Sequence, residues 1–180
     1  MMMKRIAALT AVTLSAAWIG WAMPALANEM YLGVGVGLTP GQPKYKQSDD
    51  LPIQLAFELS PQDWRFSFMQ ATFDSNEKPT VHINSQVFGA EKLFIYKFDN
   101  RFSLNGGLGV GYYQVNISGA GTGNGSAFGL MATGGARYQI NPQFFADLQF
   151  QYRNAAVAIN STSVVDAGWN GFGLNIGYTF

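Results

Sequence analysis

The sequence predicts an all-β fold: an eight-stranded antiparallel up-and-down transmembrane β-barrel, preceded by a cleaved signal peptide. Three observations carry that expectation. Period-two alternation recurs along the chain, most regularly where Phe172, Leu174, Ile176, Tyr178 and Phe180 alternate with Gly173, Asn175, Gly177 and Thr179. Such alternation gives one apolar face and one small or polar face. Short turn-forming joints alternate with long joints rich in Gly, Ser, Thr, Asn and Pro. The chain also opens with a three-part secretory leader.

In that leader, Lys4 and Arg5 precede an apolar stretch from Ile6 to about Gly20, and Ala25-Leu26-Ala27 supplies the small residues of a cleavage site. The stretch is too short for a membrane anchor and is broken by Pro24. The expected division is residues 1–27 as signal peptide and 28–180 as one barrel domain, which leaves 153 of the 180 residues. Loss of Lys4 and Arg5 leaves nine basic against 11 acidic residues, a net charge of −2. Nothing in that balance suits nucleic acid. There is no cysteine, so the domain is stable without disulfides. No segment of 28–180 has the ~18 apolar residues of a helical span, whereas membrane strands hide in a mean hydropathy of +0.04 because every second residue faces the lumen.

The strands follow in order. Residues 30–38 alternate Leu32, Val34, Val36 and Leu38 with glycines; 52–60 alternate Ile53, Leu55, Phe57 and Leu59 with Gln54, Ala56 and Glu58. A third strand starts Trp64-Arg65-Phe66-Ser67-Phe68. The fourth, 85–98, has two registers: Lys92 shares a face with Phe94 and Tyr96, and Glu91 with Leu93 and Ile95, so the sequence leaves its facing open. Residues 101–115 set Phe102, Leu104, Leu108, Val110 and Tyr112 against Ser103, Asn105 and three glycines. Residues 126–140 set Phe128, Leu130, Ala132, Ala136, Tyr138 and Ile140 against Met131, Thr133, Arg137 and Gln139. Residues 143–153 set Phe144, Ala146, Leu148, Phe150 and Tyr152 against Phe145, Asp147, Gln149, Gln151 and Arg153, and 168–180 closes the series.

Ser60–Asp63, Asp99-Asn100 and Asn141-Pro142 are the tight joints; 39–51, 73–84, 116–125 and 154–167 are the long ones. Their alternation fits a barrel with short periplasmic turns and longer exterior loops. Trp64, Phe66, Phe102, Tyr138, Phe144, Tyr178 and Phe180 fall by the short turns, and Tyr112, Phe128, Tyr152 and Phe172 toward the long loops, as two interfacial girdles require. A soluble β-sandwich or lipocalin-like barrel would turn its apolar face inward; the glycine-rich polar face of this chain suits a narrow lumen better.

The inward charges are expected to form a structural network of Glu58, Arg65, Arg137, Asp147 and Arg153, with Glu58–Arg65 and Arg137–Asp147 as charge-assisted pairs. The alternative is a glycine-lined slot for a small or apolar solute. Gly33-Val34-Gly35-Val36-Gly37 and Gly106–Gly111 continue strand alternation and lack the helix a dinucleotide site needs. His82, the sole histidine, has Ser85 three residues on, which an extended chain turns to the opposite face. No spacing suggests a metal or cofactor site. Loop one holds Lys44, Tyr45, Lys46, Asp49 and Asp50; loop two holds Asp74, Glu77, Lys78 and His82. These mixed charges are able to contact lipopolysaccharide headgroups, and solvation explains them equally well. Loop three, Ser118 to Gly125, reads as flexible and uncharged.

The leader, Gly109-Val110-Gly111-Tyr112-Tyr113, Asn141-Pro142-Gln143-Phe144-Phe145 and the final strand resemble the small outer-membrane protein β-barrel domain family. The resemblance implies localisation in a Gram-negative-type outer membrane and contact with outer-membrane lipids and lipopolysaccharide. It also implies a monomer whose last strand (Phe172, Leu174, Ile176, Tyr178, Phe180) is an assembly signal for the barrel-assembly machinery. Gln151-Tyr152-Arg153-Asn154-Ala155 is similar to the His-x-Ser-Asn-Ala of lipid A deacylases, but Gln151 and Arg153 replace the base and the nucleophile. The expected function is therefore non-enzymatic, in envelope integrity or surface contacts. A narrow channel or solute slot is the alternative, and a lipid A-modifying enzyme comes third.

Overall fold

The computed structural model describes residues 29–37, 45–47, 52–59, 63–75, 80–119, 122–160 and 163–180. The predicted leader, 1–27, lies outside them. The strands are β1 (Glu29–Gly37), β2 (Tyr45–Gln47), β3 (Ile53–Leu59), β4 (Trp64–Ser75), β5 (His82–Lys97), β6 (Phe102–Ser118), β7 (Gly123–Gln139), β8 (Phe144–Asn154), β9 (Ala156–Asn160), β10 (Ser163–Asp166) and β11 (Trp169–Thr179). Every ladder is antiparallel. The wall runs β1, β3, β4, β5, β6, β7, β8, β11 and closes where β11 pairs back to β1. That is a ring of eight strands with no free edge, as a membrane-spanning sheet requires.

Alternation decides the facing of each strand. On β8 the even residues Phe144, Leu148, Phe150 and Tyr152 are exposed and the odd residues Phe145, Asp147, Gln149, Gln151 and Arg153 are buried. The same parity holds on β4, β6 and β7, so the apolar face meets hydrocarbon. The open question on β5 is settled by its ladder: Glu91 lies opposite Arg65 and faces the lumen, while Lys92 lies opposite Trp64 and faces out. Lys92 meets its cost at the rim, 3.7 Å from Asp63 and 6.0 Å from the Trp64 ring centroid.

All four predicted long joints need correction: 39–51 contains β2, and 73–84 opens and closes in the β4–β5 ladder, with Phe73 opposite Ile83 and Asp74 opposite His82. Residues 116–125 are mostly ladder: Asn116 pairs with Asn124 and Ile117 with Gly123. What reads as a flexible loop continues both strands, to Ser118 on β6 and from Gly123 on β7, and Gly119 follows Ser118 at φ +105°, where a Cβ would sit 1.6 Å from the Thr80 carbonyl oxygen. Residues 154–167 carry the β9–β10 hairpin. In the first loop, Tyr45 and Lys46 belong to β2, which adds to β4; Lys44, Asp49, Asp50, Glu77 and Lys78 lie outside the described residues.

From Phe102 to Tyr112 on β6 there are ten residue steps. At ~3.3 Å per residue and a tilt of ~40°, that is about 25 Å, the height of an outer-membrane apolar band. β5, β6 and β7, of 16, 17 and 17 residues, continue well beyond it.

The lumen as candidate functional site

The buried interior divides into two layers. The one nearer the short turns is polar: Glu58, Arg65, Glu91, Arg137, Asp147 and Arg153 are all buried, three acids against three arginines. Glu58 receives Arg65 Nε at 2.9 Å, with Arg65 Nη2 at 2.8 Å from the same oxygen. Arg137 is the hub: Nη1 and Nη2 donate to the two Glu58 oxygens at 3.0 Å each, and Nη2 also donates to Asp147 at 3.0 Å. Its guanidinium carbon lies 4.0 Å above the Phe145 ring. Phe145 fits because its neighbour is Gly177, where a Cβ would fall 2.0 Å from Cζ. Gln149 donates to Asp147 at 2.7 Å, and Asn105 Nδ2 at 3.2 Å.

β3 and β7 stand four places apart in the ring of eight, on opposite walls. The Arg137–Glu58 contact therefore crosses the full lumen, and desolvation strengthens its charge-assisted hydrogen bonds. A second bridge runs from Arg153, which donates to Gln151 at 3.1 Å, and on through Gln151 to Gln54 on β3. Arg65 Nη1 reaches Thr133 on β7 at 3.2 Å. The structure thus brings Glu58, Arg65, Arg137 and Asp147 together and sets Arg153 one layer above. The sequence reading had not placed Glu91, whose nearest ion partner is Arg65 at 3.7 Å.

Above this layer the lumen turns apolar. Met69, Phe73, Ile83, Val87, Tyr113 and Met131 form one buried cluster, roofed by Val157 of β9 and Val165 of β10. Gln151 and Arg153 are 0% and 1% exposed and point into the lumen, away from any lipid. His82 is exposed, with Nδ1 2.7 Å from Asp74, while Ser85 is buried on the other face. Among the described residues no group of three metal-ligating side chains occurs. On β11, Phe172, Leu174, Ile176 and Tyr178 point outward, Phe180 just after the strand is also exposed, and T-shaped ring pairs tie Tyr178 to Phe144 at 5.3 Å and Phe172 to Phe150 at 5.4 Å.

A closed eight-strand ring with an apolar exterior, two aromatic girdles and a charged interior defines a small transmembrane barrel of the outer-membrane type. The family model "Outer membrane protein beta-barrel domain" matches residues 10–180, and the chain belongs to that family, in the Gram-negative outer membrane. The fold is similar to Neisserial surface protein A, at TM-score 0.57 and 14% identity over 84% of this chain and 95% of that one. It is similar also to OprG from Pseudomonas aeruginosa, at TM-score 0.53 and 15% identity over 86% and 97%. No curated protein matches the sequence.

Proposed function

We propose that this chain is a non-enzymatic, non-conducting outer-membrane barrel that acts through its exterior, in envelope integrity or surface contacts. The observation that carries this reading is the Arg137–Glu58 contact between opposite walls. It stands on a layer in which Arg65, Phe145, Gln149 and Gln151 are fully buried. An interior just wide enough for side chains is then filled by them. Among the described residues, three positive and three negative groups are buried, so their charges balance and favour an ion of neither sign. Gln151 and Arg153, standing where a deacylase would need its base and nucleophile, support the non-enzymatic reading. The proposed surroundings are outer-membrane lipids and lipopolysaccharide around a monomer, with the outward face of β11 read by the barrel-assembly machinery during insertion.

In planar bilayers the purified protein is expected to give no unitary conductance steps, and a deletion strain to become more sensitive to detergent with its lipid A acylation unchanged. Discrete conductance, or an altered lipid A pattern, would sink the proposal. One second reading, a slot for a small apolar solute, would seat that solute within the apolar upper layer. Saturable quenching of the Tyr113 environment by such a solute, lost in Met131→Trp, would establish it.

A further inference from the structure

The outward faces of β4, β5, β6 and β7 carry an ordered sequence of cross-strand rungs. The first rung is aromatic: Phe68 pairs with Phe88, Phe88 with Tyr112, and Tyr112 with Phe128. It belongs to the outer girdle, with ring centroids 5.0 Å apart for Phe68–Phe88 and 5.3 Å for Tyr112–Phe128. The next rung outward is Gln70, Gln86, Gln114 and Ser126, and the one after is Thr72, Asn84, Asn116 and Asn124. These eight positions hold no charge. The first titratable groups, Asp74 and His82, come one rung further out and pair with each other at 2.7 Å.

An ordinary solvated surface is dressed with lysine and glutamate. A carboxylate only accepts hydrogen bonds and an ammonium only donates them, whereas a carboxamide does both. A sugar hydroxyl also does both, so neighbouring amides on a flat sheet complement neighbouring hydroxyls on a pyranose ring. The rungs repeat every ~7 Å along the strands and every ~5 Å across them, the scale of one sugar unit. Their position fits one source: they begin one rung beyond the aromatics that mark the hydrocarbon boundary, where glycolipid headgroups stand. We infer that the amide rungs on β4–β7 bind neutral sugars of the surrounding lipopolysaccharide. This rests on the proposed action through the exterior and names its partner.

The test uses the full barrel domain in phosphatidylcholine nanodiscs and core oligosaccharide freed from lipid A. Amide resonances should shift saturably along the outer rungs of β4–β7. The triple variant Q86A/Q114A/N116A should weaken binding about tenfold or more, since it removes three side chains that both donate and accept hydrogen bonds. Raising the salt from ~50 to ~500 mM should change the affinity less than about twofold, because no ion pair is involved. If the triple variant fails to fold, the near-isosteric Q86E/Q114E takes its place, and unchanged affinity there overturns the inference. So does a titration without saturable shifts, binding lost in salt (phosphate recognition), or rung broadening with protein concentration alone (a second copy). Bilayer conductance with sugar binding intact would instead remove the non-conducting reading and leave this one standing.

Discussion

Two sections of one barrel wall obey opposite rules. Between the girdles, Leu104, Leu108 and Val110 face out while Asn105, Glu91 and Arg65 are buried within. Beyond the outer girdle, Gln114 and Asn116 face out while Tyr113, Val115 and Val87 fill the inside. Strands β4 to β7 pass through the boundary without a register shift, so the backbone is the same on both sides. Only the side chains change places, between Ser67 and Met69 on β4 and between Thr133 and Met131 on β7. The lower section is solvated by hydrocarbon and satisfies its polar groups internally; the upper section is built like a soluble protein. A strand thus records its surroundings in the phase of its alternation rather than in its composition.

The largest effect should come from breaking the polar interior. Arg137→Ala leaves Glu58 and Asp147 buried beside a lost cation, and removing one partner from such a network costs about 3–5 kcal/mol. Urea unfolding from phosphatidylcholine vesicles, followed by tryptophan fluorescence, measures it. A cost below about 1 kcal/mol would mean that Arg137 is not the hub described above.

A substitution pair on a single strand separates the two sections directly. Leu108 and Asn116 both point outward on β6, eight residues apart. Leu108→Arg puts a cation near the middle of the hydrocarbon band and should cost about 2–4 kcal/mol, whereas Asn116→Arg should stay within about 0.5 kcal/mol. Equal costs in the same unfolding measurement would show that the outer section is also immersed in lipid.

Much of the wall was legible because period-two alternation survives in any composition. Leu104 to Tyr112 and Phe144 to Tyr152 mark the outward face without help from tertiary contacts. The segments misread as loops, among them 116–125 and 154–167, fail because the phase of alternation inverts there. Alternation continues through Tyr113, Val115 and Ile117, and through Ala155, Val157 and Ile159, but its apolar members are now odd-numbered. Reading that follows the even, lipid-facing phase stops where the phase inverts, and the Gly, Ser and Asn left over look like a loop. Glu91 escaped placement because Leu93 and Lys92 exchange the usual faces; only the Arg65 rung of β4 decides the register. The cross-lumen partners of Arg137 depend on ring closure, which no local pattern records.

At the other rim, two short turns offer a matched pair for the smallest effect. Asp99 Oδ1 accepts the backbone N–H groups of Arg101 and Phe102 at 2.6 Å each. Asn141 Oδ1 does the same for Gln143 and Phe144 at 2.9 Å each. The geometry is shared, and only Asp99 titrates. Its two backbone hydrogen bonds, with Arg101 nearby adding a smaller pull, hold the Asp99 carboxyl below its ordinary value of 3.8. A carboxylate whose folded pKa is depressed contributes stability that is complete above the unfolded pKa and is lost as pH falls through the folded one. Between about pH 5 and about pH 2, amide hydrogen exchange at Arg101 and Phe102 should therefore accelerate beyond its intrinsic pH trend. Exchange at Gln143 and Phe144 should follow that trend alone. Asp99→Asn should make the first turn behave as the second. If both turns loosen together on acidification, the Asp99 cap is not the origin of the loss.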